Sequence, residues 1–342
     1  MNLKREGIIL APSDQAYENA GVLNPAIVQE GDKTQMFYRA IQGDNYSTIG
    51  HCVLDCPLKV RERAKQPILF PEYPYEKQGV EDPRIVKIEG TYYLTYTAYD
   101  GKNAVIAYAE SRDLKKWQKR GVISSSLTYD VVEDCFRQSS HNLKEKYFFF
   151  ESYYKDKLGK DVLLWEKDAF LFPQKFNGKF AMIHRVLPGM QIIFFEHFKQ
   201  LQDNDYWQEY FKNLGKYIIL EPKYAFESRN VGGGAPPLET DAGYLLIYHA
   251  VEDASHGKIY HATAALLDKK NPSKVIGRLD QPLFSPEAEY EKEGNTNNVV
   301  FPTGTAVFDN RLYIYYGAAD RVIAVISLDL DALLVKLLKI PN

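Results

Sequence analysis

Short runs of alternating apolar and aromatic residues recur along the chain, each opened by a turn and closed by a polar or charged residue. They are Met36-Phe37-Tyr38-Arg39, Tyr93-Leu94-Thr95-Tyr96-Thr97, Phe180-Ala181-Met182-Ile183-His184-Arg185, Tyr244-Leu245-Leu246-Ile247-Tyr248-His249 and Leu312-Tyr313-Ile314-Tyr315-Tyr316-Gly317. A period near two predicts strands. A second run after each, such as Ala104–Ala109 or Val322–Ile326, predicts hairpins. The runs recur every roughly 60 to 85 residues, longer than compact propeller repeats. Five diverged units of about four strands predict an all-β, five-bladed β-propeller, which protects sheet edges by radial repetition. A sandwich uses fewer residues and leaves five units unexplained.

Two segments break this rhythm. Residues 124–167 begin polar and then carry Tyr147-Phe148-Phe149-Phe150-Glu151 and Val162-Leu163-Leu164-Trp165. They are expected to elaborate the third blade or to form a lid. In residues 198–217, Leu201, Tyr206, Trp207, Tyr210, Phe211 and Leu214 approximate a 3.6-residue period, which predicts a small helical insertion packed outside the sheets. Residues 328–338 are expected to close the fold as a strand and helical turn. No low-complexity linker appears, so residues 1–342 are expected to form one domain.

Composition narrows the function. A hydrophobic content of 45% supplies a core for 342 residues, and a net charge of −3 argues against a nucleic-acid partner. The excess of Tyr (25) and Phe (18) suits strands and also sugar-stacking surfaces. Cys52, Cys56 and Cys135 cannot all pair within the chain, which favours a reducing compartment. No stretch reaches membrane-spanning length. The expectation is a soluble cytoplasmic protein, or a periplasmic one if a leader has been removed. A homo-oligomer is compatible with all of this, and no metal site is expected.

The densest candidate chemistry is Glu81-Asp82-Pro83-Arg84, two carboxylates and a guanidinium at the head of an alternating strand. Proline cannot donate to a sheet ladder, so Asp82 is expected at a rim where it can reach a ligand. The residues closing or following the runs include Arg39, Thr97, Arg185, His249 and Asp320. A central funnel lined by them suits a polyhydroxylated or anionic ligand. Gly232-Gly233-Gly234 lacks the βαβ context of a dinucleotide site and is expected to allow close backbone approach in a loop. Tyr73 and Tyr75 are candidate sugar platforms.

Taken together, these segments resemble glycoside hydrolase family 130, five-bladed propeller enzymes acting on β-mannosides. The matching segments include Leu23-Asn24-Pro25-Ala26, Gly79–Arg84, Lys167–Pro173, Asn177–Arg185, Gly233–Pro237, Asn298–Gly304 and Tyr315–Asp320, in the family's order over about residues 24–326. The resemblance implies that Asp82 is the general acid and that Asn24, Arg39, Arg84, Asn298 and Asp320 bind the mannoside. It also implies inversion at the anomeric carbon, with either phosphate or water as acceptor, and no cofactor.

Phosphate carries its own charge and needs cations to hold it, best supplied by arginine. Water instead needs a second carboxylate, about 6.5–9.5 Å from the acid in inverting hydrolases. By resemblance, Lys167, Arg185 and His249 match three of the four phosphate positions, whereas Asn230 stands where phosphorylases carry lysine. Arg229 is its neighbour, but adjacent strand residues point to opposite faces. Glu227, Glu252 and Glu196 are the candidate bases for hydrolysis. The expectation leans to a phosphorylase with inorganic phosphate as co-substrate and α-mannose 1-phosphate as product. A β-1,2-mannosidase is the first alternative and a non-catalytic glycan-binding protein the second.

Overall fold

The computed structural model describes residues 2–31, 33–139 and 143–340. The chain is predominantly β, as the alternating runs predict. Antiparallel meanders follow one another along the sequence. The first runs through Gly21–Glu30, Lys33–Ile41, Ser47–Asp55 and Lys59–Arg63, and the second through Gly79–Ile88, Thr91–Tyr99, Ala104–Ser111 and Gln118–Val122. These two share one sheet only through a parallel bridge from Ser47 to Gly79. The third meander comprises Lys167–Leu171, Phe180–Arg185, Met190–Phe195 and Ile218–Leu220. The fourth runs from Asn230–Gly233 through Gly243–Ala254 and Gly257–Leu267 to Val275–Arg278, with Leu238–Thr240 added to its second strand. The fifth takes Val300–Phe308, Arg311–Ala318 and Val322–Asp329, and its fourth strand is the N-terminal Lys4–Leu10. The first strand of meander one packs beside those of meanders two and five, and that of meander three beside those of two and four.

A polar bracket recurs within the meanders, joining the second strand to the fourth through a glutamate that precedes the first. Tyr38 donates to buried Glu18 at 2.7 Å, and Arg63 pairs with the same carboxylate at 3.0 Å. The sets Tyr96–Glu76–Lys119 (2.5 and 2.6 Å), Tyr248–Glu227–Arg278 (2.9 and 2.7 Å) and Tyr316–Glu291–Arg5 (2.6 and 3.2 Å) repeat it. In meander three the second-strand tyrosine is replaced by His184, which lies between Glu166 at 2.6 Å and Tyr210 at 2.9 Å. Three of these glutamates, Glu76, Glu227 and Glu291, lie in a single helical turn before the first strand and also accept the backbone N–H groups of the two residues leading into that turn. A carboxylate buried this deeply is stable only when its lone pairs are filled, and the bracket fills them.

The interruption after meander two is helical. Tyr129–Arg137 and Glu145–Leu158 are α-helices, so the aromatic run at residues 147–150 is helix, although its residues favour strands. Tyr147, Phe150 and Glu151 fall three and four apart and share the buried face, while Phe149 is exposed. Asn204–Lys212 is the helix the periodicity predicts, with Trp207 and Phe211 buried in the core beside His184 and Tyr210. Strand Val322–Asp329 runs into the closing helix Leu330–Lys339, capped by Asp329. No helix among the described residues is long and apolar enough to cross a membrane.

Candidate active site

The first strands do more than alternate. Their ladders shift register between Leu23 and Ala26, between Glu81 and Arg84, and between Lys167 and Phe170. At each shift one residue takes a left-handed backbone: Asn24 (φ 49°), Asp82 (φ 51°) and Asp168 (φ 60°). Such bulges re-aim a side chain, and Asn and Asp tolerate this backbone best. Because of the bulge, the adjacent residues Glu81 and Asp82 both reach Arg39, at 2.8 and 3.6 Å, which a regular strand would forbid.

These side chains meet in one cavity of about 260 Å³. It is lined by Asn24, Arg39, Asp82, Lys167, Asp168, Arg185, Tyr260, Thr296, Val299, Phe301 and Asp320. Asn24 donates to Asp82 at 2.8 Å. Gly317 makes this possible, since a Cβ there would lie 2.4 Å from the Asn24 side-chain oxygen. Lys167 pairs with Glu81 at 3.3 Å and Arg185 with Asp168 at 2.5 Å. A second cavity, of about 430 Å³, shares Arg39, Thr296 and Asp320 with the first and adds Gln42, Asn45 and Asn295. Asp82 thus lies between two ion pairs, Lys167–Glu81 and Arg185–Asp168, and a polar surface that carries Arg39 and Asp320.

The cavity's charges shift its acids in opposite directions. Burial pushes the Asp82 carboxyl up, but Arg39, Lys167, Arg84 and the Asn24 hydrogen bond outweigh it and hold the pKa below the ordinary value. Burial raises Asp320, and Thr296 and Arg39 oppose this without cancelling it. His249 is driven down to about 4, chiefly by burial, with Arg185 and Arg84 adding to the effect and Asp168 opposing it. His249 is therefore neutral at pH 7.

Of the residues expected at the site, Asp82, Asn24, Arg39, Asp320, Lys167 and Arg185 line the cavity. His249 lies just behind it, 4.0 Å from Asp168 and packed on Phe301. The glycines make room for it, since a Cβ at Gly232 would meet its ring at 2.4 Å. Gly232 and Gly233 lie in a strand rather than the expected loop, but the close approach is there. Arg84 stands outside the lining. It is fully buried and donates to the carbonyls of Gly234, Asp82 and Pro83 at 2.5, 3.1 and 3.1 Å, bracing the bulge from behind. Asn298 also lies outside the lining, and its carbonyl receives the Tyr260 N–H at 3.0 Å. Asn230 is buried in its strand outside the lining. Arg229 turns away to Asp253 at 3.2 Å and to the rings of Phe150 and Tyr153.

The three candidate bases are engaged elsewhere. Glu227 belongs to a buried bracket, Glu252 pairs with His261 at 3.1 Å, and Glu196 is exposed beside Lys179. Tyr73 and Tyr75 stack on each other away from the lining. Asp168, Glu81 and Tyr260 are the additions. Asp168 had a legible signal, because Lys167-Asp168-Ala169 occupies the place of Leu23-Asn24-Pro25 and Glu81-Asp82-Pro83. Away from the cavity, Asp130, Glu133 and Glu151 come together, with the Lys155 ammonium at 2.5, 3.5 and 2.5 Å from them.

A bulge-held carboxylate between paired Lys and Arg side chains and a second polar cavity defines a site of the carbohydrate-active class. The comparisons narrow the class to one family. The family model described as beta-1,4-mannooligosaccharide phosphorylase matches residues 9–339. The 1,2-beta-oligomannan phosphorylase of Thermoanaerobacter sp. is 33% identical over 338 residues, covering 96% of each chain. The solved beta-1,2-mannobiose phosphorylase from Listeria innocua, in complex with beta-1,2-mannobiose, superposes with a TM-score of 0.73 at 20% identity, over 98% of this chain and 99% of that one. A further structure, from work on glycoside hydrolases of this family that target beta-1,2 mannosidic linkages in Candida mannan, gives 0.73 at 23% identity, over 96% and 94%. The chain belongs to glycoside hydrolase family 130 and is an enzyme acting on glycosidic bonds.

Proposed function

We propose that this enzyme is an inverting phosphorylase that removes a non-reducing-end β-mannosyl unit and transfers it to inorganic phosphate, giving α-mannose 1-phosphate. One observation carries the reading. Lys167 and Arg185 line the cavity with Asp82, whereas Glu227, Glu252 and Glu196 are held elsewhere. The acceptor then has cations to bind it and needs no separate base.

Asn24, Arg39 and Asp320 hold the mannosyl unit, with the second cavity extending that surface. Lys167 and Arg185 hold the phosphate, backed by His249. A phosphate oxygen forms the new bond to the anomeric carbon on one face. The bond to the glycosidic oxygen breaks on the other, and that oxygen takes up the proton from Asp82, directly or through a sugar hydroxyl. In the free enzyme the surrounding cations keep Asp82 ionised. A phosphate dianion beside Lys167 offsets them and raises the Asp82 pKa, so acceptor binding prepares the acid. The five meanders, their repeated brackets and the N-terminal strand in the last sheet support closure as a single five-bladed propeller domain around this cavity. The 1,2-oligomannan relative supports a β-1,2-mannoside as substrate.

Hydrolysis is the second reading, favoured by Asn230 in place of a phosphate-site lysine. Product analysis on β-1,2- and β-1,4-mannobiose, with and without phosphate, decides between them. Phosphate-dependent α-mannose 1-phosphate is the expected result. Free mannose at equal rates in both conditions would overturn it and make Asp168 the first carboxylate to test as base.

A further inference from the structure

The Glu81 carboxylate spans the two halves of the cavity. It is 3% exposed and puts one oxygen 2.8 Å from Arg39 on the sugar side and the other 3.3 Å from Lys167 on the acceptor side. We propose that Glu81 is a positioning residue that holds Arg39 and Lys167 in one frame and sets the net charge that the acceptor half presents to phosphate. The inference rests on the phosphate-acceptor reading for its kinetic part only.

Three features support it. The Asp82 bulge turns Glu81 inward, so its placement is built into the strand rather than left to a flexible side chain. Lys167 reaches Glu81 past the rings of Trp165 and Tyr99, at 5.5 and 5.9 Å, which restrict its movement. Burial acts to lower the pKa of both Arg39 and Lys167, and Glu81 is the largest of the influences that raise them above their ordinary values.

The charge has a consequence for Asp82. The groups acting on Asp82 are Arg39, Lys167, Arg84 and Asn24, with Asp320 across the cavity; those on Glu81 are Arg39 and Lys167. Neutralising Glu81 leaves two cations uncompensated, so Asp82 gives up its proton at lower pH. It also removes the anion that competes with phosphate for Lys167.

The test compares wild type, Glu81→Gln and Glu81→Asp in the full chain. Phosphate binding is measured by calorimetry without sugar, and mannoside phosphorolysis is followed across pH. Glu81→Gln is expected to bind phosphate several-fold more tightly while kcat falls at least tenfold, and to move the alkaline limb of the rate profile to lower pH. Glu81→Asp keeps the charge, so its limb stays in place while kcat falls less. A merely structural role would weaken binding and turnover together and leave the limb unmoved, and that result overturns the inference. So do identical behaviour of the two variants and phosphate binding by none of the three proteins. If Glu81→Gln does not fold, Glu81→Asp decides: a several-fold loss of kcat with phosphate binding and the limb both unchanged supports the inference, and wild-type kcat, or phosphate binding that weakens together with kcat, overturns it. Free mannose released by wild type regardless of phosphate would remove the functional reading, while the calorimetric contrast still judges Glu81.

Discussion

The brackets within the meanders and the central cavity are built from the same residue types and treat them differently. In the Glu227 bracket each carboxylate oxygen is engaged, one by Tyr248 and Arg278 and the other by two backbone N–H groups. Around the cavity, buried polar atoms remain without a hydrogen-bond partner among the described residues: the Arg84 Nη2, the Arg185 Nε, both His249 ring nitrogens and the Asn24 Oδ1. Buried polar groups are normally satisfied, so a cluster of exceptions needs an explanation. Here the exceptions are donors and acceptors together at the expected ligand site. Satisfied polar groups hold each meander together, and unsatisfied ones are suited to bind a polar substrate.

The contrast predicts a double dissociation between activity and stability. The largest effect is expected from Asp82→Asn, which removes the proton donor and leaves the brackets untouched. General acid catalysis typically contributes about 10²–10⁴-fold, so kcat should fall about 10³-fold with little change in thermal unfolding. Wild-type turnover in this variant would remove Asp82 from the chemistry.

The reverse is expected of Glu227→Ala. Arg278 is buried and would lose its carboxylate partner, at a cost of about 3–4 kcal/mol. Urea unfolding should show that loss, while the folded fraction keeps the wild-type KM for mannoside and for phosphate. A change in KM with unchanged stability would place Glu227 in the active site after all.

The two regions were unequally legible in the sequence. The strand-closing pairs Tyr38-Arg39, Tyr96-Thr97, His184-Arg185, Tyr248-His249 and Tyr316-Gly317 mark five equivalent places, with the first residue in a bracket and the second toward the centre. Their spacing therefore announced both the repeat and the ends of the second strands. The bracket glutamates were not legible as such, because each meets its partners only once the second and fourth strands of its own meander are in place. Glu227 looks as much like a base as a structural acid until Tyr248 and Arg278 are beside it. Arg84 was ambiguous for the same reason: a bulge can turn a guanidinium toward a ligand or toward its own backbone. The helix at residues 145–158 was hidden by a consecutive aromatic run, in which only the three- and four-residue spacing of Tyr147, Phe150 and Glu151 decides the outcome.

His249 joins the two regions, because an unsatisfied buried group has a stability cost that depends on pH. Its folded pKa of about 4 lies below the unfolded value near 6.5, so the native state favours the neutral ring. The unfolded chain binds the extra proton first as pH falls. Stability is then unaffected above about pH 6.5 and is lost between there and about pH 4, by about 3 kcal/mol in all. His249→Gln should lack that component, so the stability gap between wild type and variant should change by that amount between pH 7 and pH 4. Parallel pH dependences would mean that the ring is not buried neutral. Added phosphate should shrink the acid loss in wild type if His249 faces the acceptor.

The smallest expected effect tests how the acid is held. Asn24 positions Asp82 only because position 317 has no side chain, and a Cβ there would overlap the Asn24 side-chain oxygen. Gly317→Ala should therefore displace Asn24 without removing any chemical group. One neutral hydrogen bond to a charged carboxylate contributes about 1.5 kcal/mol, so kcat should fall roughly tenfold. Because Asn24 also helps to hold the Asp82 pKa down, its displacement should move the alkaline limb of the rate profile to higher pH, opposite to the shift expected for Glu81→Gln. A tenfold loss with the limb unmoved would mean that Asn24 acts on the sugar alone. No loss would show that the bulge, rather than its asparagine neighbour, is sufficient to aim Asp82.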